Sequence, residues 1–334
     1  MQLELDPVNS SSSSNTRILI LGGNGYVGRH LLEVLSSSNY QIELIDKNLD
    51  KINKSSFRNA KFHQLDLSKK DGNLKEILRN FEGKTIVVHL AAYKSVAESI
   101  INPKIYYDNN LQITKNVIDG IKGLGSVSII FSSSAAVYGN TDPIVTEISM
   151  KSPMSPYAMI KAEEEQLLSE AAKTIGFNLT IFRFFNIIGA ASNDLMEFTG
   201  ENIIPRILNA IINKETFNIF GYSYPTPDGT AIRDYVDVRD VCSAIVKAVP
   251  LTANKSLGIL NLSTGSGASV SEVIKEFEKL VNLKYKMLDS REGDMPILVG
   301  VNDRARELLS WEPMYKYKDS IASVWSSYIS KKPN

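Results

Sequence analysis

The apolar run Arg17-Ile-Leu-Ile-Leu21 stops at a glycine, passes through Gly22-Gly-Asn-Gly25-Tyr-Val-Gly28, and resumes from Tyr26 to Leu35 with apolar residues at helical spacing. A strand, a tight turn and a helix must follow one another here. Each glycine has its own reason: the turn needs positive φ, the backbone must approach a ligand closely, and the helix must pack against its strand. The helix start presents unpaired N–H groups and the positive end of its dipole, which suits the junction to a pyrophosphate. No Lys-Ser or Lys-Thr grips a phosphate in this turn, which sets it apart from the P-loop of nucleotidases.

A second run, Ile42-Glu-Leu-Ile45, ends at Asp46 and completes a βαβ unit of about thirty residues. A carboxylate there accepts hydrogen bonds from adenosine ribose hydroxyls and repels a 2′-phosphate, so NAD is favoured over NADP. Lys47 beside it softens that repulsion, and a strand-end Asp is also an ordinary turn former. Further strands are expected at Lys61 to Leu65, Thr85 to Leu90, Val127 to Ser132 and Leu179 to Phe184. Helices are expected at Leu74 to Asn80, Ile105 to Ile121 and Tyr157 to Thr174. This alternation predicts an α/β fold with a Rossmann-type, doubly wound parallel sheet. Asp66-Leu67, ending the third strand, stands where it would flank an adenine, or else forms a solvated turn.

Past Phe185 the rhythm breaks into loops rich in Gly, Pro and Asp, with helices at Ile203 to Asn213, Val270 to Leu280 and Asp319 to Tyr328. This predicts a smaller C-terminal α/β substrate domain. The expected division is a Ser-rich disordered tail at 1–15, an NAD-binding domain at 16–185 to which 232–264 contribute, and a nucleotide-sugar-binding domain at 186–231 and 265–334. A chain of 334 residues with 43% apolar and 22% charged residues has enough core for two such units. Basic and acidic residues number 37 each, so no net field draws nucleic acid or an anionic membrane. No apolar stretch approaches the ~20 residues of a membrane span. The single cysteine, Cys242, sits at helical spacing among apolar residues and reads as a small buried hydrophobe. With no disulfide and no signal-like start, the expected location is cytoplasmic. His30, His63 and His89 are scattered and lack ligand partners, so no metal site is expected.

Tyr157 and Lys161 lie one helical turn apart in Ser155-Pro-Tyr-Ala-Met-Ile-Lys161. A tyrosine takes a proton from a sugar hydroxyl near neutral pH only if its phenolate gains roughly 4 kcal/mol of stabilisation. The Lys161 ammonium and an oxidised nicotinamide are the two positive charges expected to supply it. Ser132-Ser-Ser134 follows the apolar run Ser128-Ile-Ile-Phe131, and strand ends are where an open parallel sheet displays ligand groups. Ser134 then passes a proton between substrate and Tyr157, or else braces a polar turn. Arg233 and Arg291 offer planar forks suited to phosphate, against the alternative of ion pairs with Asp234 and Glu292.

Taken with Tyr106-Tyr-Asp-Asn-Asn110, Phe185-Asn186, the segment Phe220 to Gly229, Arg233-Asp-Tyr235 and Arg291-Glu-Gly-Asp294, these motifs resemble the extended short-chain dehydrogenase/reductase family, in its UDP-glucose 4-epimerase branch. The resemblance covers the chain from Arg17 onward. It implies an isomerase with bound NAD that takes hydride from sugar C4 while Tyr157 takes the O4 proton with Ser134 bridging; the 4-keto sugar turns over and hydride returns to its other face. By that resemblance NAD would touch Gly22, Gly25, Tyr26, Val27, Gly28, Asp46, Lys47, Asp66 and Leu67. It would also meet Leu90, Ala91, Ala92, Lys94, Asn110, Ser132, Tyr157, Lys161 and Phe184. The UDP-sugar would meet Ser134, Ala135, Ala136, Tyr157, Phe185, Asn186, Asn202, Ile203 and Asn218, then Phe220, Arg233, Tyr235, Arg291, Asp294 and Leu298. A homodimer through the helices near Ile105 to Ile121 and Tyr157 to Thr174 is implied as well.

Related dehydratases and decarboxylases carry acidic groups just after the residue matching Ser134. Here Ala135 and Ala136 hold no titratable group, which argues for epimerisation over elimination. Phe184 and Ile187 depart from the Tyr and Pro common in the branch, and Leu298 is intermediate between the large and small residues that sort hexoses from N-acetylated hexoses. The hexose is therefore open. A dehydratase, a decarboxylase and a non-catalytic NAD sensor are the alternatives, and an intact Ser134, Tyr157 and Lys161 set speaks against the sensor.

Overall fold

The computed structural model describes residues 15–70, 73–198, 200, 202–290 and 294–331. Residues 1–14 of the expected tail, and Arg291, lie outside them. The first half runs β1 (Thr16–Leu21), α1 (Tyr26–Leu35), β2 (Gln41–Asp46), β3 (Ala60–Gln64), α2 (Asn73–Arg79) and β4 (Lys84–His89). It continues through α3 (Val96–Ile101), α4 (Pro103–Tyr106), α5 (Gln112–Ile121), β5 (Val127–Ser134), β6 (Ile144–Val145), α6 (Pro156–Ala171) and β7 (Asn178–Phe184). The second half holds β8 (Asn186–Ile188), α7 (Ile203–Asn213), β9 (Phe217–Phe220), β10 (Ile232–Asp237), α8 (Val238–Thr252) and β11 (Gly258–Leu262). It ends with β12 (Gly267–Ser269), α9 (Val270–Glu278), β13 (Tyr285–Leu288), β14 (Ile297–Gly300), α10 (Asp303–Leu309) and α11 (Tyr317–Lys331).

Seven strands form one wholly parallel sheet in the order β11-β7-β5-β4-β1-β2-β3. Strand order reverses between β1 and β4, where a doubly wound sheet opens its ligand crevice. Alternation along each strand sends side chains to two separate cores. Ile18, Ile20, Leu44, Val88, Ile130 and Phe182 pack with α1 and α8 on one face. Leu19, Leu21, Ile45, Val87, Ile129 and Phe131 pack with α2, α5 and α6 on the other. Both faces are covered, which explains why the strands read as continuous apolar runs. The seventh strand, β11, comes from the 232–264 stretch expected to join this half.

The helix expected over Ile105 to Ile121 is not continuous. A π turn at Tyr107–Leu111 interrupts it between α4 and α5. The widened turn carries Asn110, fully buried, against the backbone of Tyr93: Oδ1 accepts from Tyr93 N at 2.8 Å and Nδ2 donates to Tyr93 O at 2.9 Å. A local hydrogen-bond requirement thus overrides simple periodicity. Likewise α6 passes into a π turn at Ala172–Gly176.

The remaining strands build a small mixed sheet, β12-β10-β14-β6 with β8 also on β10, and the pair β13-β9. Only β10–β12 is antiparallel in that mixed sheet. A third core of Ile204, Ile207, Phe217, Ile219, Val273, Phe277, Ile321 and Val324 lies beneath them. A capping box of Ser269 and Glu272 fixes the start of α9. Among the described residues no helix is long and apolar enough to cross a membrane.

Candidate active site

A cleft of about 1660 Å³ opens beyond the carboxyl ends of β1, β2, β4 and β5 and is walled on its far side by β9, β10 and α7. Every described residue named from the sequence as a cofactor or sugar contact lines it except Asn110. Its amide is engaged by the Tyr93 backbone, so it positions the loop after β4.

On one side the turn Gly22 to Gly28 leads into α1. Gly22 has φ +80°, and a Cβ there would lie 2.7 Å from the Ala91 backbone; a Cβ at Gly28 would lie 2.6 Å from Gly22 O. The helix begins at Gly25 with no side-chain cap and no acidic residue in its first turn. Its leading N–H groups are therefore available to an anion. Asp46 accepts from Asn24 N at 3.0 Å and Asn48 N at 3.2 Å, so its carboxylate is fixed by backbone while it faces the cleft; burial pushes its carboxyl up from the ordinary range. Lys47 donates to the Tyr93 hydroxyl at 2.9 Å and lies over that ring, while its charge still acts on Asp46. Asp66 accepts from Ser68 N at 3.0 Å and Ser68 Oγ at 2.7 Å, the turn geometry that was its alternative reading, and still lines the cleft. Tyr26, Val27, Leu67, Leu90, Ala91, Ala92 and Phe184 complete this wall.

At the centre, α6 starts with the Ser155 side chain accepting from Ala158 N at 3.2 Å and Pro156 in the first turn. This places Tyr157 at the positive end of the helix and Lys161 one turn further along, both facing the end of β5. The Tyr157 phenol lies beside Ser134, whose Oγ accepts from Ala136 N at 3.2 Å. Burial raises the Tyr157 phenol above its ordinary range; Lys161 and Ser134 oppose that shift, and Glu164 adds to it. Lys161 is 2% exposed, and among the described residues its ammonium has no hydrogen-bond partner, only an ion contact with Glu164 Oε2 at 3.0 Å. A buried ammonium with unmet donors suits the hydroxyls of a cofactor ribose. Glu164 was missed from the sequence because its significance depends on burial, which Lys-Ala-Glu-Glu does not reveal.

On the far side, α7 begins at Asn202 without a side-chain cap, a second helix start facing the cleft. Asn218 on β9 has a buried Oδ1 without a partner among the described residues, suited to a ring N–H. Arg206 donates to Asn218 O at 3.1 Å and lies between the rings of Phe217 and Phe220. Arg233 does not pair with Asp234. The Asp234 carboxylate is buried and accepts from Thr264 and Gly265, whereas Arg233 lies 3.7 Å from Asp294 at the cleft. Asn186, Ile203, Tyr235 and Leu298 line the same wall, with Phe185 and Ala135 to Ala136 between the two sides. Two contacts invisible to local pattern cross the mouth: Lys94 with Glu197, and Arg29 with the carbonyl of Asp194 at 2.5 Å. Among the described residues no group of His, Cys, Asp and Glu is arranged to hold a metal.

The family profile described as "NAD dependent epimerase/dehydratase family" matches residues 18–262. The UDP-glucose 4-epimerase of Rhizobium meliloti (strain 1021) is 34% identical over 324 residues, covering 93% of this chain and 97% of its own. That of Lactobacillus helveticus is 34% identical over 327 residues, covering 94% and 97%. Among solved structures, UDP-glucose-4-epimerase from Stenotrophomonas maltophila with bound NAD and formylated UDP-arabinopyranose superposes with a TM-score of 0.86 at 30% identity, covering 94% of this chain and 98% of that one. The enzyme from Bifidobacterium longum in complex with NAD+ and UDP superposes with a TM-score of 0.85 at 27% identity, covering 95% and 98%.

Proposed function

The chain belongs to the NAD dependent epimerase/dehydratase family, and on that premise we propose that it inverts C4 of a UDP-hexose, UDP-glucose and UDP-galactose or their N-acetylated pair, through a 4-keto sugar. The observation that carries this reading is the meeting of Ser134, Tyr157 and a buried Lys161 ammonium, its hydrogen-bond donors unmet among the described residues, in a cleft onto which two uncapped helix starts open. Two such starts suit two pyrophosphates, one of a dinucleotide and one of a nucleotide sugar.

NAD, when bound, supplies a reversible acceptor for the hydride of sugar C4. The α1 start, Asp46, Lys161 and the Leu90 to Ala92 loop would hold it, and the half-buried, backbone-fixed Asp46 carboxylate supports the preference for NAD over NADP. Tyr157 accepts the O4 proton, with Ser134 bridging, and Lys161 and the positive end of α6 stabilise the phenolate. When hydride returns to the opposite face of C4, Tyr157 returns the proton, so one stereocentre changes and nothing is consumed. Ala135 and Ala136 put no acid or base beside the sugar, which supports this outcome over loss of water or carbon dioxide. Asn186, Asn202, Asn218, Phe220, Arg233 and Asp294 hold the UDP moiety, and Arg291 is carried in the same role by resemblance. Leu298 shapes the hexose pocket.

In this reading residues 16–185 with 232–264 carry the cofactor, and 186–231 with 265–334 carry the sugar nucleotide. Exposed Ile100, Ile101, Ile105 and Met159 on α3, α4 and α6 support a homodimer through that face. A cytoplasmic place in galactose metabolism belongs to the same reading. The test is to incubate purified protein with UDP-galactose and UDP-N-acetylgalactosamine separately and identify each product. Recovery of either substrate's C4 epimer supports the proposal; a 4-keto-6-deoxy product, released carbon dioxide or no change refutes it.

A further inference from the structure

Behind Tyr157 lies a buried chain of polar groups that the proposed reaction does not use. Glu164 is fully buried, with Oε2 3.0 Å from Lys161 Nζ and Oε1 accepting from Thr114 Oγ1 at 2.6 Å. Thr114 Oγ1 is also 3.1 Å from His89 Nε2. The hydroxyl has one proton and gives it to the carboxylate, so His89 must donate to it through Nε2–H. That tautomer leaves Nδ1 as a bare acceptor, and Nδ1 indeed has no partner among the described residues. Burial and the Lys161 charge push the imidazole down to about 3, so His89 is neutral. The carboxylate therefore carries the only negative charge of the group, fixed by Thr114.

The other charged groups on elements packed against α6 are committed elsewhere. Glu165 pairs with both Arg183 and Lys151 on its far side, and Tyr106 donates to Glu98 at 2.9 Å. Lys161 has the Phe131 ring 4.6 Å from its nitrogen. Beyond burial and the Ser134 hydroxyl, the charges that act on Tyr157 are those of Lys161 and Glu164. With Lys161 and Glu164 both ionised the unit is neutral, and loss of the phenol proton would bury a net negative charge.

We propose that Glu164 is a positioning residue that sets the charge of the proton acceptor: its carboxylate offsets the Lys161 ammonium, so that Tyr157 yields its proton only when a cationic cofactor ring joins the cleft. This rests on the reading of Tyr157 as base. The consequence is a tyrosine that stays protonated in unloaded protein and becomes a base only beside oxidised cofactor.

Glu164→Gln keeps the shape and removes the charge. The unit then starts at plus one, and proton loss brings it to neutrality. The test is ultraviolet phenolate absorbance against pH, on NAD-free and NAD-loaded protein, with Tyr157→Phe as the background. In wild type, NAD loading should lower the Tyr157 midpoint by one unit or more; in Glu164→Gln the NAD-free midpoint should already be lower by about one unit. The acid limb of the kcat/KM profile should move the same way. Glu164→Met, which removes the same carboxylate charge, should lower the midpoint likewise and serves if Glu164→Gln does not fold. An unchanged or raised midpoint in the folded variants overturns the proposal. So does loss of the phenolate signal at every pH, since the carboxylate would then be needed to keep Lys161 charged. The absorbance arm needs no turnover, so it is separable from failure of the epimerase reading, which the product analysis reports.

Discussion

Replacing Glu165 by Leu should destabilise this protein by about 3–5 kcal/mol, the cost of leaving a buried charge without its partner. Glu165 sits in the middle of α6 and is 1% exposed. It accepts from Arg183 Nε at 2.8 Å, from Arg183 Nη2 at 2.7 Å and from Ser133 Oγ at 2.6 Å. In the variant Arg183 would keep only its bond to Glu147 O at 3.1 Å and the Tyr138 ring below it, and would stay charged in the interior. The Ser133 hydroxyl would lose its acceptor, worth about 1 kcal/mol of that total. Against a whole stability of about 5–15 kcal/mol this is a large share. The pair joins α6 to β5 and β7, the elements that hold Tyr157 opposite Ser134, so turnover should fall along with stability. Urea unfolding of NAD-free protein, followed by Trp311 and Trp325 fluorescence, measures the loss. Removing both partners in Glu165→Leu/Arg183→Leu should recover most of it. The effect also has a pH signature. Burial pushes the Glu165 carboxyl up, but Arg183 and Ser133 prevail and hold it below the ordinary range. A depressed carboxyl contributes stability that is complete above its unfolded pKa, about 4.3, and is lost as pH falls through the lower folded value. The gap between wild type and variant should therefore be constant near neutrality and narrow in acid below that point. A loss under about 1 kcal/mol, or a double variant as unstable as the single one, would refute the reasoning.

Tyr157→Phe should lower kcat by about 10²–10⁴ while leaving UDP binding within a few fold, as measured by turnover and calorimetry; undiminished turnover removes the base. Asp46→Ala should reduce the preference for NAD over NADP by about tenfold in paired binding titrations, and an unaltered ratio would leave Asp46 as a turn residue. Gly22→Ala should lose most NAD affinity, because a Cβ at φ +80° would sit 2.7 Å from the Ala91 backbone. Retention of NAD at wild-type affinity would show that the turn does not need to hold that shape.

The sheet was legible because its residues report local rules. Arg17 to Leu21, Ile42 to Ile45 and Val127 to Ser132 are near-continuous apolar runs, as strands covered on both faces tend to be, and the glycines mark a turn that tolerates no side chain. The Ser134, Tyr157 and Lys161 set was legible for the same reason, since helical spacing alone puts the last two on one face. What escaped the sequence was long-range partnership. Arg233 stands next to Asp234 in the chain, yet the strand alternates and sends Asp234 to Thr264 and Gly265, leaving Arg233 for Asp294. The π turn that sets the Asn110 amide on the Tyr93 backbone leaves no mark in the sequence pattern either. Nor could the sequence show that burial and Glu164, both tertiary facts, act against Lys161 at Tyr157.

The last strand to join the large sheet, β11, lies beyond β7 by the whole stretch from 185 to 257. Synthesised from its N-terminus, the nascent chain must hold six parallel strands with β7 as an unprotected border until that stretch has left the ribosome. A fragment cut after Phe185 would keep this raw border permanently, with Thr180, Ile181 and Phe182 lacking their neighbours Gly258, Ile259 and Leu260. Such a truncation should self-associate edge to edge, and the dinucleotide half of the protein is not a portable module: its boundary on the sequence is not its boundary in space.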